Sequence, residues 1–288
     1  MIFLIGSIIV STGLFVIFKL FGKFNINSLH AIVVNYFIAG ISGLLHYNKT
    51  ITASTLVSKP WFYGTIILGI LFIAVFYLMA TTTQKNGLST ASVASKMSVV
   101  IPIGIGIFAF NENAGIQKII GITLAIIAVY LTASKPGKHK SANQSMLFPV
   151  LLFCGAGIID STINYIQTHH MPTSETALFS ASTFFVAGLS GVTIILATLK
   201  KQDFSKIKQS IIGGIILGAV NFYSLFFIIK SLQIQYLESS TVFTINNVSI
   251  VTLSTLLGVL YFKERLLLKN KIGVALAIIS IILVTTTI

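Results

Sequence analysis

Apolar residues in this chain come in long runs separated by short polar breaks. Marking the runs gives ten spans, at 2–21, 27–46, 60–84, 88–110, 114–133, 147–167, 175–199, 207–230, 237–261 and 268–287. Each is close to the length of about 20 apolar residues that carries an α-helix across the hydrocarbon core of a bilayer. The breaks hold stretches such as KFNINS, SKP, QKNG, KPGKHKSANQS and KKQDFSK, which combine turn-formers and charge. The period-two alternation of transmembrane β-strands is absent. The first run lacks a basic leader and a small-residue cleavage site, so it reads as a membrane helix and not a signal peptide. The expected fold class is an all-α membrane protein with ten transmembrane helices.

Composition agrees with the pattern. Hydrophobic residues make up 55% of the chain and charged residues 9%, with a mean hydropathy of +0.95. Soluble domains carry roughly 25% charged residues, so this chain cannot cover a water-facing surface. Ten helices use nearly all of it, leaving no room for a soluble domain.

The chain also repeats itself. GTIILG at 64–69 returns as GGIILG at 213–218, and IIVST at 8–12 returns as IIDST at 158–162. Ala39, Gly40 and Gly43 match Ala187, Gly188 and Gly191, at an offset of 148 residues. FNENAGIQKIIGITLAII at 110–127 matches FKERLLLKNKIGVALAII at 262–279, at an offset of 152. Four pairs in order, at a nearly constant offset, divide the chain into a first five-helix repeat (1–133), a basic linker (134–146) and a second five-helix repeat (147–288). Because five is odd, the second repeat must enter the membrane in the opposite sense, which makes the repeats inverted.

Charge placement gives the orientation. The odd-numbered connections between spans hold fourteen basic residues: Lys19, Lys23, Lys85, Lys135, Lys138, Lys140, Lys200, Lys201, Lys206, Lys208, Lys263, Arg265, Lys269 and Lys271. The even-numbered connections hold three, Lys49, Lys59 and Lys118. The positive-inside rule then puts the odd connections in the cytoplasm and both termini outside. This accounts for the net charge of +13 through attraction to the anionic leaflet, so the expected partner is the bilayer and not nucleic acid.

Ten helices in two inverted halves, each with a glutamate followed nine residues later by a glycine that opens an apolar run (Glu112 with Gly121, Glu264 with Gly273), resemble the drug/metabolite transporter superfamily in its EamA-type branch. The resemblance covers essentially the whole chain. It implies a secondary transporter of the cytoplasmic membrane, usually an exporter of small metabolites, amino-acid-like or otherwise, or of drugs. It implies no cofactor and a monomer or homodimer.

A transporter needs polar groups at membrane depth, because inverted repeats build a substrate site near the midplane that alternating access exposes to each side. In span nine, Ser240, Thr244, Asn247, Val251 and Thr255 follow helical spacing down one face, with Asn246 beside it. Span four offers Ser95, Ser98 and Lys96, and span one offers Ser7, Ser11 and Thr12. Tyr77, Asn221 and Tyr223 come from spans three and eight. Small and hydroxylated residues also serve plain helix packing. Asp160 is the sharpest signal. A carboxylate at the bilayer centre costs roughly 2.5–3.5 kcal/mol on insertion scales, while its repeat partner Val10 is apolar, so the scaffold does not require it. Asn164 lies one turn further along the same face. In the related small multidrug resistance proteins a glutamate in the first helix exchanges protons for substrate, and span six is the second half's version of span one. Lys96 is the other charge expected at depth, and a lysine–aspartate pair would offset part of each burial cost. The candidate substrate- or ion-binding residues are therefore Asp160, Asn164, Lys96, Asn246, Asn247, Tyr223, Asn221 and Tyr77.

Glu112 and Glu264 read as structural carboxylates at the positive N-terminal ends of spans five and ten. His169 and His170 lack further ligands at metal-binding spacing, and the single Cys154 allows no intrachain disulfide. An intramembrane enzyme would need a converging catalytic set such as paired carboxylates or HExxH, and none is visible. A channel is the remaining alternative, but it would carry charge rings or a re-entrant filter.

Overall fold

The structure is a computed structural model that describes residues 1–47, 52–110, 115–133, 142–198, 204–232 and 239–285. Glu112, most of the basic linker and the side chain of Ser240 lie outside the described set. The described residues form α1 (Ile2–Lys23), α2 (Ser28–Tyr47), α3 (Ala53–Val57), α4 (Phe62–Asn86), α5 (Leu88–Met97), α6 (Val100–Phe110), α7 (Ile116–Ala133), α8 (Ala142–His169), α9 (Thr176–Ala197), α10 (Ile207–Leu232), α11 (Ser239–Leu260) and α12 (Leu268–Thr285). One 3₁₀ turn, Thr173–Glu175, precedes α9. Ten of the spans these helices make are long and apolar enough to cross a membrane, and they follow the ten apolar runs of the sequence closely. The protein is thus an all-α, multi-pass membrane protein.

The continuous helix expected over 88–110 is instead two helices, α5 and α6, interrupted at Ser98–Val99. The cause is Pro102. It has no N–H to donate to the carbonyl of Ser98, four residues back, and its ring crowds that turn. The Ser98 carbonyl takes a tighter bond from the N–H of Ile101 at 2.9 Å. The Ser98 hydroxyl donates back to the Ser95 carbonyl at 2.7 Å, which keeps a freed acceptor satisfied inside the membrane. The short α3 was also absent from the sequence reading. Its N-cap is Thr52, whose side chain exchanges bonds with Thr55 in a capping box.

The chain forms two compact units, one made of Met1–Leu20, Leu78–Ile158 and Tyr223–Ile288, the other of Phe21–Tyr77 and Ile159–Phe222. Each unit takes helices from both halves of the sequence.

In the first unit α7 packs along α12. Their backbones come close because the contact is made through small residues, as membrane helices without a hydrophobic driving force require. Gly121 lies against Leu283 and Val284, and Gly273 lies against Leu131 and Thr132. The Ser280 hydroxyl donates to the Gly121 carbonyl at 2.7 Å. Around this seam Val93 and Met97 of α5 join Ala125, Ala128, Val251, Ala277 and Ile281 in a buried core.

In the second unit the corresponding pair is α2 and α9. A Cβ at Gly40 would meet the ring of Phe185 at 3.1 Å, and a Cβ at Gly188 would meet the ring of Phe37 at 3.1 Å. Tyr36 is buried beside them, with its hydroxyl donating to the Phe72 carbonyl at 2.7 Å. In both units the contacts are reciprocal. Adding 148 to Phe37 and Gly40 gives Phe185 and Gly188, and adding 152 to Gly121, Leu131 and Thr132 gives Gly273, Leu283 and Val284.

Candidate functional site

Within the first unit, α11 is pinned to three neighbours by side-chain hydrogen bonds. Ser7 of α1 donates to Asn246 at 3.0 Å, both buried. Ser254 donates to Ser92 of α5 at 2.6 Å, and Thr244 donates to Thr285 of α12. Asn247 is buried, and its amide makes no side-chain hydrogen bond among the described residues. The Thr255 hydroxyl is also buried, with no partner among the described residues. The face read from the sequence therefore divides. Asn246 and Ser254, just beside the stripe, make the bonds that hold the helix in place, and Asn247 and Thr255, within it, are polar groups left open. Lys96 is half-buried in the last turn of α5, just before the interruption at Ser98–Val99. Tyr223 is half-exposed and packs against Phe226 and Phe227.

Within the second unit, Asn221 of α10 donates to Asn35 of α2 at 3.2 Å, and Asn35 in turn donates to the Ile32 carbonyl. Both asparagines are buried. Asp160 and Asn164, one turn apart on α8, share an exposed face, and Tyr77 near the middle of α4 is half-exposed. Asn35 was missed in the sequence reading. The only available signal was an asparagine inside an apolar run, four and eight residues before Ala39 and Gly43.

The most elaborate polar arrangement is one the sequence reading did not anticipate. Glu264 was expected to sit at the N-terminus of its own helix. Instead it lies four residues before α12, and its carboxylate reaches the N-terminus of α5, where the Leu88 N–H donates to it at 3.0 Å. Lys19, one turn before the end of α1, donates to the same carboxylate at 2.8 Å, with the two side chains 22% and 11% exposed. Lys19 also lies 3.5 Å from the Thr83 carbonyl near the end of α4. A charge-assisted pair and a helix N-terminus thus act on one group. Two glycines make the space. A Cβ on Gly258 would stand 2.6 Å from the carboxylate, and one on Gly87 would stand 2.7 Å from it. Gly87 has φ +104 and ψ 166, a region open essentially to glycine alone, and it is the single residue between α4 and α5. After α11 the chain turns through Lys263 at φ 53, and the Glu264 N–H bonds the Gly258 carbonyl at 2.8 Å. This turn aims the side chain away from α12.

A second carboxylate works similarly outside the spans of the other unit. Glu175 accepts from Lys59 at 2.5 Å and from the indole N–H of the buried Trp61 at 2.6 Å. The Lys59 bond, then the Trp61 bond, hold the Glu175 carboxyl below its ordinary value. The same bond to Glu175 raises Lys59 above the ordinary lysine value.

No described protein family matches the sequence. The chain is 29% identical to an uncharacterized protein of Haemophilus influenzae over 296 residues, which is 96% of this chain and 95% of that protein. A solved crystal structure shares the fold with a TM-score of 0.55 at 16% identity, over 98% of this chain and 94% of the other. The similarity therefore extends over the whole ten-span arrangement.

Proposed function

We propose that the protein is a secondary active transporter, of the drug/metabolite type, that exports small organic molecules across the cytoplasmic membrane by alternating access. The observation that carries this reading is the reciprocity of contacts. Gly40 meets Phe185 as Gly188 meets Phe37, and Gly121 meets Val284 as Gly273 meets Thr132. Such exchange is what two-fold-related copies make. With five spans per copy, the relation fits an inverted repeat, the architecture on which alternating access is built.

The polar groups support the same reading. Asn35, Asn221, Asn246 and Asn247 are all buried within apolar spans. An amide at that depth is costly without partners, and Asn247 makes no side-chain hydrogen bond among the described residues. An exposed carboxylate in mid-span, Asp160, suits a water-accessible surface better than lipid for the same reason. Lys96, Asn246, Asn247 and Tyr223 in the first unit, and Asp160, Asn164, Asn221 and Tyr77 in the second, are the proposed substrate or ion contacts. The Glu264 cluster closes helix ends at one of the odd-numbered connections, which charge placement assigns to the cytoplasm.

Flux into proteoliposomes, measured against a panel of amino acids, other metabolites and drugs, tests the proposal. A transporter gives saturable, substrate-selective counterflow. Flux that rises linearly with concentration and discriminates only by size would make the protein a channel. A comparison of metabolite pools in cells with and without the protein narrows the panel.

A further inference from the structure

The tie on Glu264 gathers four helices of the first unit at one end. Lys19 comes from α1, the Thr83 carbonyl from α4, the Leu88 N–H from α5 and the carboxylate itself from the connector after α11. The Lys19–Glu264 pair also stands in the wall of a pocket of about 200 Å³, with Thr90 and Arg265 beside it. Each of the same four helices buries a hydroxyl that has no partner among the described residues: Thr12 on α1, Thr82 on α4, Ser89 on α5 and Thr255 on α11. Thr12, Thr82 and Ser89 are at most 2% exposed.

Their positions relate them to the ion pair. Thr82 and Ser89 are the chain neighbours of Thr83 and Leu88. Thr12 is seven residues before Lys19, about two turns back along the same face of α1. Thr255 is three residues before Gly258 on one face of α11. A Cβ on Gly258 would stand 2.6 Å from the Glu264 carboxylate and 3.5 Å from the Ser89 hydroxyl. All four hydroxyls therefore lie beside the pair or within about two turns of it. Helical hydroxyls elsewhere in this protein are satisfied locally: Thr83 donates to the Met79 carbonyl at 2.7 Å and Thr252 to that of Val248 at 2.8 Å. Thr12, Thr82 and Thr255 have a carbonyl one turn back and do not use it. An unmade hydroxyl bond inside an apolar span is costly, and close helix packing alone would be served as well by alanine or valine. Further along α1 and α11, Ser7 and Asn246 continue the polar groups.

We propose that these hydroxyls border a passage for a small polar solute, running inward from the pocket between α1, α4, α5 and α11, and that the Lys19–Glu264 pair is its removable plug. What passes rests on the transport reading above. Water or a solute in the passage gives the hydroxyls the partners that the protein does not supply. The plug joins one residue from each half of the chain, so it opens when α1 and the α11–α12 connector move apart. Glu264 keeps the Leu88 N–H as it does so. Both side chains are already partly exposed, so neither charge is left buried and alone when they separate.

Cysteine accessibility in the full-length protein, in membrane vesicles and with Cys154 replaced by serine, supplies the test. Ser89→Cys and Thr255→Cys are treated with a small, charged methanethiosulfonate present on both faces of the membrane. Ser182→Cys, at a buried position bonded to the Leu178 carbonyl of its own helix, is the control. Modification of the first two should be slow while the pair is intact. Glu264→Gln should speed it by about tenfold or more, the factor by which a charge-assisted bond favours the closed state, and leave Ser182→Cys unchanged. Lys19→Gln should do the same and serves if the Glu264 variant does not fold. Unchanged rates at Ser89→Cys and Thr255→Cys, or a rise shared by Ser182→Cys as general loosening produces, would overturn the plug. Faster modification together with linear, non-saturating flux in proteoliposomes would keep the plug and reject the transporter.

Discussion

Single residues in this protein carry consequences out of proportion to their size, and Gly87 is the clearest case. Its backbone conformation excludes other residues, and a side chain there would collide with the carboxylate of Glu264. Gly87→Ala should therefore cost about 1–2 kcal/mol from backbone conformation alone, before any displacement of Glu264. Glu264→Gln keeps an acceptor for the Leu88 N–H but removes the charge facing Lys19, and should cost about 2 kcal/mol. Thermal unfolding in detergent would register both as lowered midpoints, and a midpoint unchanged in Glu264→Gln would leave the pair without stabilising value. Asp160 belongs to function instead. Asp160→Asn preserves shape and most hydrogen bonding but removes the charge and the titratable proton. Insertion and folding should be retained while transport falls, and full activity across the pH range would make the aspartate a structural residue. The two acidic residues also show how far the sequence can be read. The unusual position of Asp160 could be seen from the apolar run around it and from Val10 in the matching place. The partners of Glu264 could not, because they lie 176 and 245 residues away in the chain and Lys19 looked like any lysine obeying the positive-inside rule.

At the scale of elements, the spans were legible because the bilayer imposes a length and an apolar composition that soluble folds do not. Their ends differ from the apolar runs by only a few residues. The interruption in span four was not legible as a break. Proline is tolerated in membrane helices when nearby groups re-satisfy the backbone, so Pro102 alone could equally mark a kink. What decided it was Ser98, which takes over the role of acceptor and donor around the gap. The extramembrane ties between elements have a pH signature. Glu175 joins the start of α9 to Lys59 and Trp61 just before α4. Its carboxyl pKa is lowered in the folded protein, so its contribution is fully present above the unfolded value of about 4.3 and fades as pH falls through the folded value. The Lys59 pKa is raised, so its contribution is full below the unfolded value of about 10.4 and fades as pH rises through the folded one. Stability from this tie should thus be flat between about pH 5 and 10. Glu175→Gln should lower the melting midpoint at pH 7 and flatten its decline below pH 5. An acid limb as steep as that of the native protein would exclude Glu175 as its source.

For the whole molecule, the charge imbalance of fourteen basic residues to three between odd and even connections makes a definite statement about orientation. With Cys154 replaced by serine, Lys138→Cys in the linker should resist a membrane-impermeant maleimide added to intact cells and react once the cells are opened. Ready labelling from outside would reverse the topology. The transport reading needs this orientation only for its direction, since counterflow in proteoliposomes detects exchange whichever way the protein inserts.

The paired contacts of Gly40 with Phe185 and Gly188 with Phe37 have a consequence for ancestry. If the two halves are the inverted repeats proposed above, a contact that each counterpart returns to the other is what a surface self-complementary before its division between two halves would leave. A gene encoding only five helices could have made this seam by pairing two identical products, provided they inserted in opposite senses. Fusion would then relax the identity of the halves, and the present differences fit that freedom: Val10 faces no demand that Asp160 must also meet. The linker should then be dispensable as a covalent link. Residues 1–133 and 147–288 made as separate polypeptides in one cell should co-purify and recover flux, and halves that each insert but never associate would show that the seam now depends on the tether.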